Sequence, residues 1–188
     1  MKKISILSLL LFFAVTGNLF AQSKNVIKVN LFSAAVATIN LSYERAINEK
    51  VSAQLGFAYT SVGNSGLGYK GYQVQPEVRF YLSEKAAPAG FYVAPFARYR
   101  KFDVTSEVTD FNGGTLEEKA SWTSIGGGLV VGAQWLFGNE HVAFGLFGGP
   151  AFYSHSWKYE NNANEAAFDV RGGGGFSFRS GVTLGVAF

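Results

Sequence analysis

The sequence predicts an all-β fold: an eight-stranded antiparallel up-and-down transmembrane β-barrel, preceded by a cleavable signal peptide. Three observations carry this expectation. The chain opens on a short basic stretch and an apolar run. Apolar residues then recur at every second position in eight separate segments, the period of a strand with one apolar and one polar face. The connections between those segments alternate between short and, the first apart, long.

Met1-Lys2-Lys3 is basic, and 4–15 is apolar except for Ser5 and Ser8. The run is shorter than the ~20 residues of a spanning helix, so 1–21 reads as a signal peptide cleaved near Ala21, leaving 22–188 as the barrel domain. Charged residues make up 15% of the chain, against about 25% in an average soluble domain, which favours a membrane over water. Once Lys2 and Lys3 leave, Lys+Arg falls from 16 to 14 against 13 Asp+Glu, so the mature chain is near +1. That balance gives no case for nucleic acid as a partner. With no cysteine, disulfides, thiolate metal sites, a cysteine nucleophile and a lipidated N-terminal cysteine are excluded.

Segment 24–32 sets Ile27, Val29 and Leu31 against Lys28 and Asn30. After small residues at 33–37, segment 38–44 sets Ile39, Leu41 and Tyr43 against Asn40, Ser42 and Glu44. A tight turn at 46–49 leads to 51–60, where Leu55, Phe57 and Tyr59 oppose Ser52, Gln54 and Thr60. Residues 61–71, rich in Gly, Ser and Asn, read as a loop. Segment 72–82 opposes Val74, Val78 and Phe80 to Gln73, Gln75, Glu77, Arg79 and Tyr81, and 83–90 is a turn containing Pro88. Segment 91–101 opposes Phe91, Val93, Ala97 and Tyr99 to Tyr92, Phe96, Arg98 and Arg100. The polar stretch 103–121 reads as a loop, 122–137 as a strand with Ile125, Leu129, Val131, Trp135 and Phe137 in one register, and 138–141 as a turn. Segment 142–153 is the seventh strand and 154–165 a polar loop. The eighth, within 168–188, opposes Phe176, Phe178, Val182, Leu184, Val186 and Phe188 to Arg179, Gly181, Thr183 and Gly185, with Ser180 the one interruption.

Eight strands of ~9–11 residues span a tilted bilayer crossing, and the alternation of turn lengths fits short turns on the inner side and long loops outside. Aromatics gather at both strand ends: Phe57, Tyr59, Tyr72, Tyr99, Phe102, Trp122, Phe152 and Trp157 at the outer, Phe80, Tyr81, Phe91, Trp135, Phe137 and Phe188 at the inner. Two interfacial belts are what amphipathic rings prefer. Pro76, Pro95 and Pro150 fall within segments read as strands, so bulges or strand ends are expected there.

The pattern resembles the small eight-stranded bacterial outer-membrane barrels (OmpA-, OmpX- and OmpW-like) and uncharacterised barrel-domain proteins of the same build. The residues that carry it are Lys28-Val29-Asn30-Leu31, Asn40-Leu41-Ser42-Tyr43-Glu44, Gln75-Pro76-Glu77-Val78-Arg79-Phe80-Tyr81 and Gly181 to Phe188. The resemblance covers the whole mature chain and implies a bacterial outer-membrane location with outer-membrane lipid as surroundings. It also implies that Val182, Leu184, Val186 and Phe188 form a C-terminal signal read by the barrel assembly machinery.

A polar cluster in the lumen is expected from Glu77, Arg79, Arg98, Arg100, Arg171 and Arg179, with Glu77 and Arg79 meeting Arg98 and Arg100 on the neighbouring strand. Buried charges must be paired, and an eight-stranded interior is only wide enough for side chains to fill it. A polar plug is therefore expected before a pore. Gly126 to Gly128 and Gly172 to Gly175 lack the Lys-Ser/Thr and helix of a phosphate loop, so they read as bends or close-packing positions. His155 and Ser156 are adjacent strand residues facing opposite ways, which does not make a nucleophile and base. His141 and His155 are too far apart for a metal site. No catalytic residue, metal or cofactor is assigned.

The function expected is a structural or interactive one, with an extracellular ligand met through 61–71, 103–121 and 154–165. Two alternatives stand beside it: a narrow conduit for small apolar or anionic molecules, favoured by a lateral opening, and a soluble secreted barrel with its apolar faces turned inward around a ligand.

Overall fold

A computed structural model describes residues 24–34, 37–64, 67–109, 115–159 and 175–188. The expected signal peptide, 1–21, lies outside the described residues. Eight strands form one closed antiparallel barrel in sequence order: β1 (Asn25–Asn30), β2 (Thr38–Ala46), β3 (Val51–Asn64), β4 (Leu67–Tyr81), β5 (Gly90–Thr109), β6 (Thr115–Phe137), β7 (Val142–Tyr159) and β8 (Gly175–Ala187). β1 closes the ring against β8 from Val26↔Ala187 to Asn30↔Thr183. Closure leaves no free edge, so the backbone of a barrel is satisfied internally even in lipid. The last residue is tied in as well: Asn25 donates its backbone N–H to the Phe188 carbonyl at 3.0 Å and accepts the Phe188 N–H at 2.9 Å.

The two faces separate as the alternation requires. Ile39 (70% exposed), Leu55, Phe91, Ile125, Val131, Phe178 and Leu184 all stand outward and exposed. Lys28, Glu44, Glu77 and Arg79, each at most 3% exposed, stand inward. A barrel in water would hide the first set and solvate the second. Polar lumen and apolar exterior together define the membrane-barrel type, and they contradict the soluble barrel with an apolar interior.

Three regions depart from the expected elements. β1 ends at Asn30, and Leu31–Ala34 form a single helical turn, α1, in place of further strand. The Asn30 side chain accepts the Phe32 N–H at 3.0 Å, a local cap that competes with the ladder. Beyond Asn30 and Val29, β8 has strand partners only on β7 and β2 only on β3, and α1 packs against both. The seam therefore stops partway up the wall.

The second departure is at the long connections. Residues 61–64 and 67–71 are paired strand, with Gly63↔Gly68 and Asn64↔Leu67. β5 and β6 stay paired out to Thr109↔Thr115, and β7 runs to Tyr159. Within the stretches expected as loops, the described parts 61–64, 67–71, 103–109, 115–121 and 154–159 are strand, and 65–66, 110–114 and 160–165 lie outside the described residues. Past the bilayer the outer face need not be apolar, so the hydrophobic alternation fades while the ladder continues.

The third departure concerns rings assigned to the belts. Tyr81 (2% exposed) and Trp122 (7%) are buried, on the inward register with Phe102 and Trp157. Phe102, Trp122 and Trp157 pack in series as tilted pairs, with centroids 5.6 and 6.3 Å apart. The prolines keep register without bulges: Pro76 has no partner on β5, Pro95 none on β4 and Pro150 none on β6, while each ladder resumes in step on either side. Their side chains are all exposed.

Candidate functional site

The lumen is stacked in layers from the short-turn end. The β4–β5 connection folds across this mouth. Ala87 and Pro88 are buried there, the Ala87 N–H reaches the Glu49 carbonyl at 2.8 Å, and the Pro88 carbonyl accepts the Gln134 side-chain amide at 2.6 Å. A stretch read from sequence as a plain turn is a lid on the barrel floor.

Above it lies an ionic network centred on Glu44. One carboxylate oxygen accepts from Lys28, from Arg79 Nη1 at 3.0 Å and from Gln134 Nε2 at 3.2 Å. The other accepts from Ser52 Oγ at 2.5 Å and the Tyr81 hydroxyl at 2.7 Å. Gln134 Oε1 in turn accepts from Lys28 Nζ at 2.9 Å and Arg79 Nη1 at 3.1 Å. The Arg79 guanidinium lies over the Tyr92 ring at 4.3 Å. Gly132 makes room for that ring, since a Cβ there would fall 2.6 Å from the Tyr92 hydroxyl. Removing Glu44 would leave Lys28 buried with no carboxylate partner, which is the expensive state.

Glu77 forms the next layer. Its Oε1 accepts from Arg79 Nε and its Oε2 from Arg179 Nη1, both at 2.7 Å. The expected meeting of Glu77 and Arg79 with Arg98 and Arg100 does not occur. Arg179, reaching across from β8, takes that place, because barrel closure brings β8 and β4 side chains together over the lumen. Arg98 instead donates Nε to Gln75 Oε1 at 2.7 Å. Arg100 lies over the Tyr153 ring at 4.4 Å, and its Nε has no hydrogen-bond partner. Gly126 clears space for that ring, a Cβ there meeting Tyr153 Cδ1 at 2.6 Å. Arg171 lies outside the described residues. Val182, Leu184 and Val186 share the outward register, Leu184 and Phe188 are exposed, and Thr183, between Val182 and Leu184, is buried.

Above Arg179 the lumen opens into a polar cavity of about 340 Å³, lined by side chains from all strands except β6 and by Ser33 of α1. It faces the long-hairpin end. The sequence-based cluster missed Lys28, Glu44 and Gln134, although all three lie in the inward register. Their common signal is a long polar side chain placed near the short-turn end of a strand, the level at which the lid crosses. His155 and Ser156 are both exposed and follow one another on β7. Among the described residues, no three His, Asp or Glu side chains gather as a cation site.

A closed eight-stranded ring with an apolar exterior and a charged, layered lumen is the build of an outer-membrane barrel. A family model described as "Protein of unknown function (DUF3575)" matches residues 6–164, and the chain belongs to that family. No curated protein matches it. Among solved structures, a major outer membrane protein from Thermus thermophilus is similar at 13% identity and a TM-score of 0.54, covering 89% of this chain and 100% of that one. CarO of Acinetobacter baumannii also aligns, at 13% identity and a TM-score of 0.46 over 92% of this chain and 99% of that one. The N-terminal barrel domain of Pseudomonas aeruginosa OprF aligns at 11% and 0.38, over 89% and 98%. The Thermus protein shares the fold.

Proposed function

We propose that the protein is an exported bacterial outer-membrane barrel that does not conduct, and that serves as a scaffold presenting its long-hairpin end to the outside for interaction. The observation that carries this reading is the Lys28–Glu44–Arg79–Gln134 network, which spans the lumen above a lid made by Ala87 and Pro88. Paired charges with satisfied hydrogen bonds, packed in a barrel this narrow, leave no water path. This counts against an end-to-end conduit. The outward Leu, Val and Phe residues supply the lipid contact, and Val182, Leu184, Val186 and Phe188 supply an outward-facing ending for assembly machinery to read. Partners meet the molecule at the β3–β4 and β5–β6 hairpins. No catalytic group is assigned.

The test is to purify the protein from the outer-membrane fraction and insert it into planar lipid bilayers. Recovery from that fraction with heat-modifiable mobility and no stepwise conductance is expected. Regular ion-conducting steps would overturn the blocked lumen, and recovery as a detergent-independent soluble monomer would overturn the membrane placement.

A further inference from the structure

The cavity above the ionic network has an excess of positive charge that its own side chains do not neutralise. From the floor to the level of Arg100, the lumen-facing cations among the described residues are Lys28, Arg79, Arg98, Arg100 and Arg179, and the carboxylates are Glu44 and Glu77 alone. Both carboxylates are already engaged, Glu44 by Lys28 and Arg79, Glu77 by Arg79 and Arg179. Arg98 and Arg100 form no ion pair among the described residues. Both are half-buried, and a charge drawn out of water without a counterion is costly, so a fold that retains two side by side at the wall of a cavity leaves room for a counterion from outside.

The geometry around them is that of a receptor rather than a filler. Arg98 lies against Tyr153 and Phe96 at 5.5 and 5.6 Å, and Arg100 against Tyr153 and Trp122 at 4.4 and 5.4 Å. Aromatic faces hold a guanidinium by its plane and leave its N–H edge free to bond. The edge is incompletely used: Arg100 Nε is buried with no partner, and so are the Tyr153 hydroxyl and Gln54 Oε1. In native proteins such buried orphans are few. Gln73, Gln75 and Ser42 line the same cavity and offer further neutral partners. About 340 Å³ is at the small end of ligand pockets, enough for a compact acidic group.

We propose that this cavity is a binding site for a phosphate- or carboxylate-bearing group, held by the forked N–H edges of Arg98 and Arg100 with Arg179 beneath. This goes beyond the scaffold reading and gives the long-hairpin end a ligand chemistry. Two routes lead in. The cavity extends toward the long-hairpin end as far as Thr38, Thr60 and Phe102, the side from which a free small acid would come. It also reaches Asn30, Ser33, Phe178 and Ser180, where the β1–β8 seam has stopped and α1 stands in the wall. That notch borders the exposed Phe32, Ile39 and Phe178, and it admits the headgroup of a lipid whose tails stay outside.

The experiment titrates the refolded full chain in neutral detergent with inorganic phosphate and with succinate, and separately titrates it in vesicles containing phosphatidic acid. Arg98→Gln, Arg100→Gln and the double variant are compared with Lys101→Gln, an exposed outward residue of β5. Heat-modifiable mobility confirms that each variant folds. Saturable binding is expected to weaken about tenfold per arginine removed, the loss of one charge-assisted hydrogen bond, and to remain unchanged in Lys101→Gln. Binding of the free acids identifies a soluble ligand, and binding of phosphatidic acid alone identifies a lipid entering by the notch. Absence of binding in all three titrations, or binding equal in the double variant and the parent, overturns the proposal, and neither result bears on conductance.

Discussion

Glu44 accepts from five side chains on four other strands, so the lumen is most vulnerable at this residue. Glu44→Ala would leave Lys28 with no carboxylate partner in a fully buried position, and is expected to cost about 3–5 kcal/mol. Arg98→Gln, which removes a cation lacking any ion pair among the described residues, should cost less than that. Urea unfolding in lipid vesicles measures both, and equal small losses would mean that the network is solvated. Sequence reasoning set Lys28 and Glu44 on the polar face of their strands, since a period of two decides the face of every strand residue. It could not join Glu77 to Arg179. Those residues are 102 positions apart, and their meeting depends on how the closed barrel staggers its strands, which no local pattern encodes.

Among the elements, β8 and the β5–β6 hairpin teach opposite lessons. β8 was legible because both faces are constrained, one by lipid and one by the packed lumen. Leu184 stands outward and Thr183 is buried beside the Gly145 carbonyl. Leu184→Arg should therefore cost ~2–4 kcal/mol if it lies at the bilayer midplane, while Thr183→Ser keeps its hydroxyl and should cost little. Matched unfolding curves for the two variants would refute the face assignment. The β5–β6 hairpin was illegible beyond about Lys101, because Asp103, Ser121 and Lys119 lie outside the apolar band and carry no alternation. What holds the extension is inward-facing: Val104 and Ala120 are buried, with Tyr69, Trp157 and Tyr159 packed against them. Trypsin offers a direct check. Lys101 and Lys119 are exposed but sit within paired strand, so both bonds should resist cleavage in the folded protein, where a loop over 103–121 would be cut at Lys119.

At the scale of the whole molecule, the barrel inverts the usual arrangement, placing charge in the core and Leu, Val and Phe on the surface. That inversion is stable only if the surface meets lipid, because exposed apolar area of this extent in water drives association. The low charge content and the alternation were enough to suggest it, but alternation alone is symmetric between inside and outside. The structure breaks that symmetry through Lys28, Glu44 and Arg79. Since the chain has no native cysteine, single cysteines can report the orientation without interference. The decisive measurement places one cysteine at Leu184 or Leu55 and, in parallel variants, at Thr183 or Gln54. Each is labelled with a small fluorophore, and quenching is read in vesicles whose lipid tails carry a quencher. Labels at Leu184 and Leu55 should be strongly quenched and those at Thr183 and Gln54 protected. Protection at the leucines, or equal quenching at all four positions, would contradict a barrel whose apolar face meets lipid around a polar lumen.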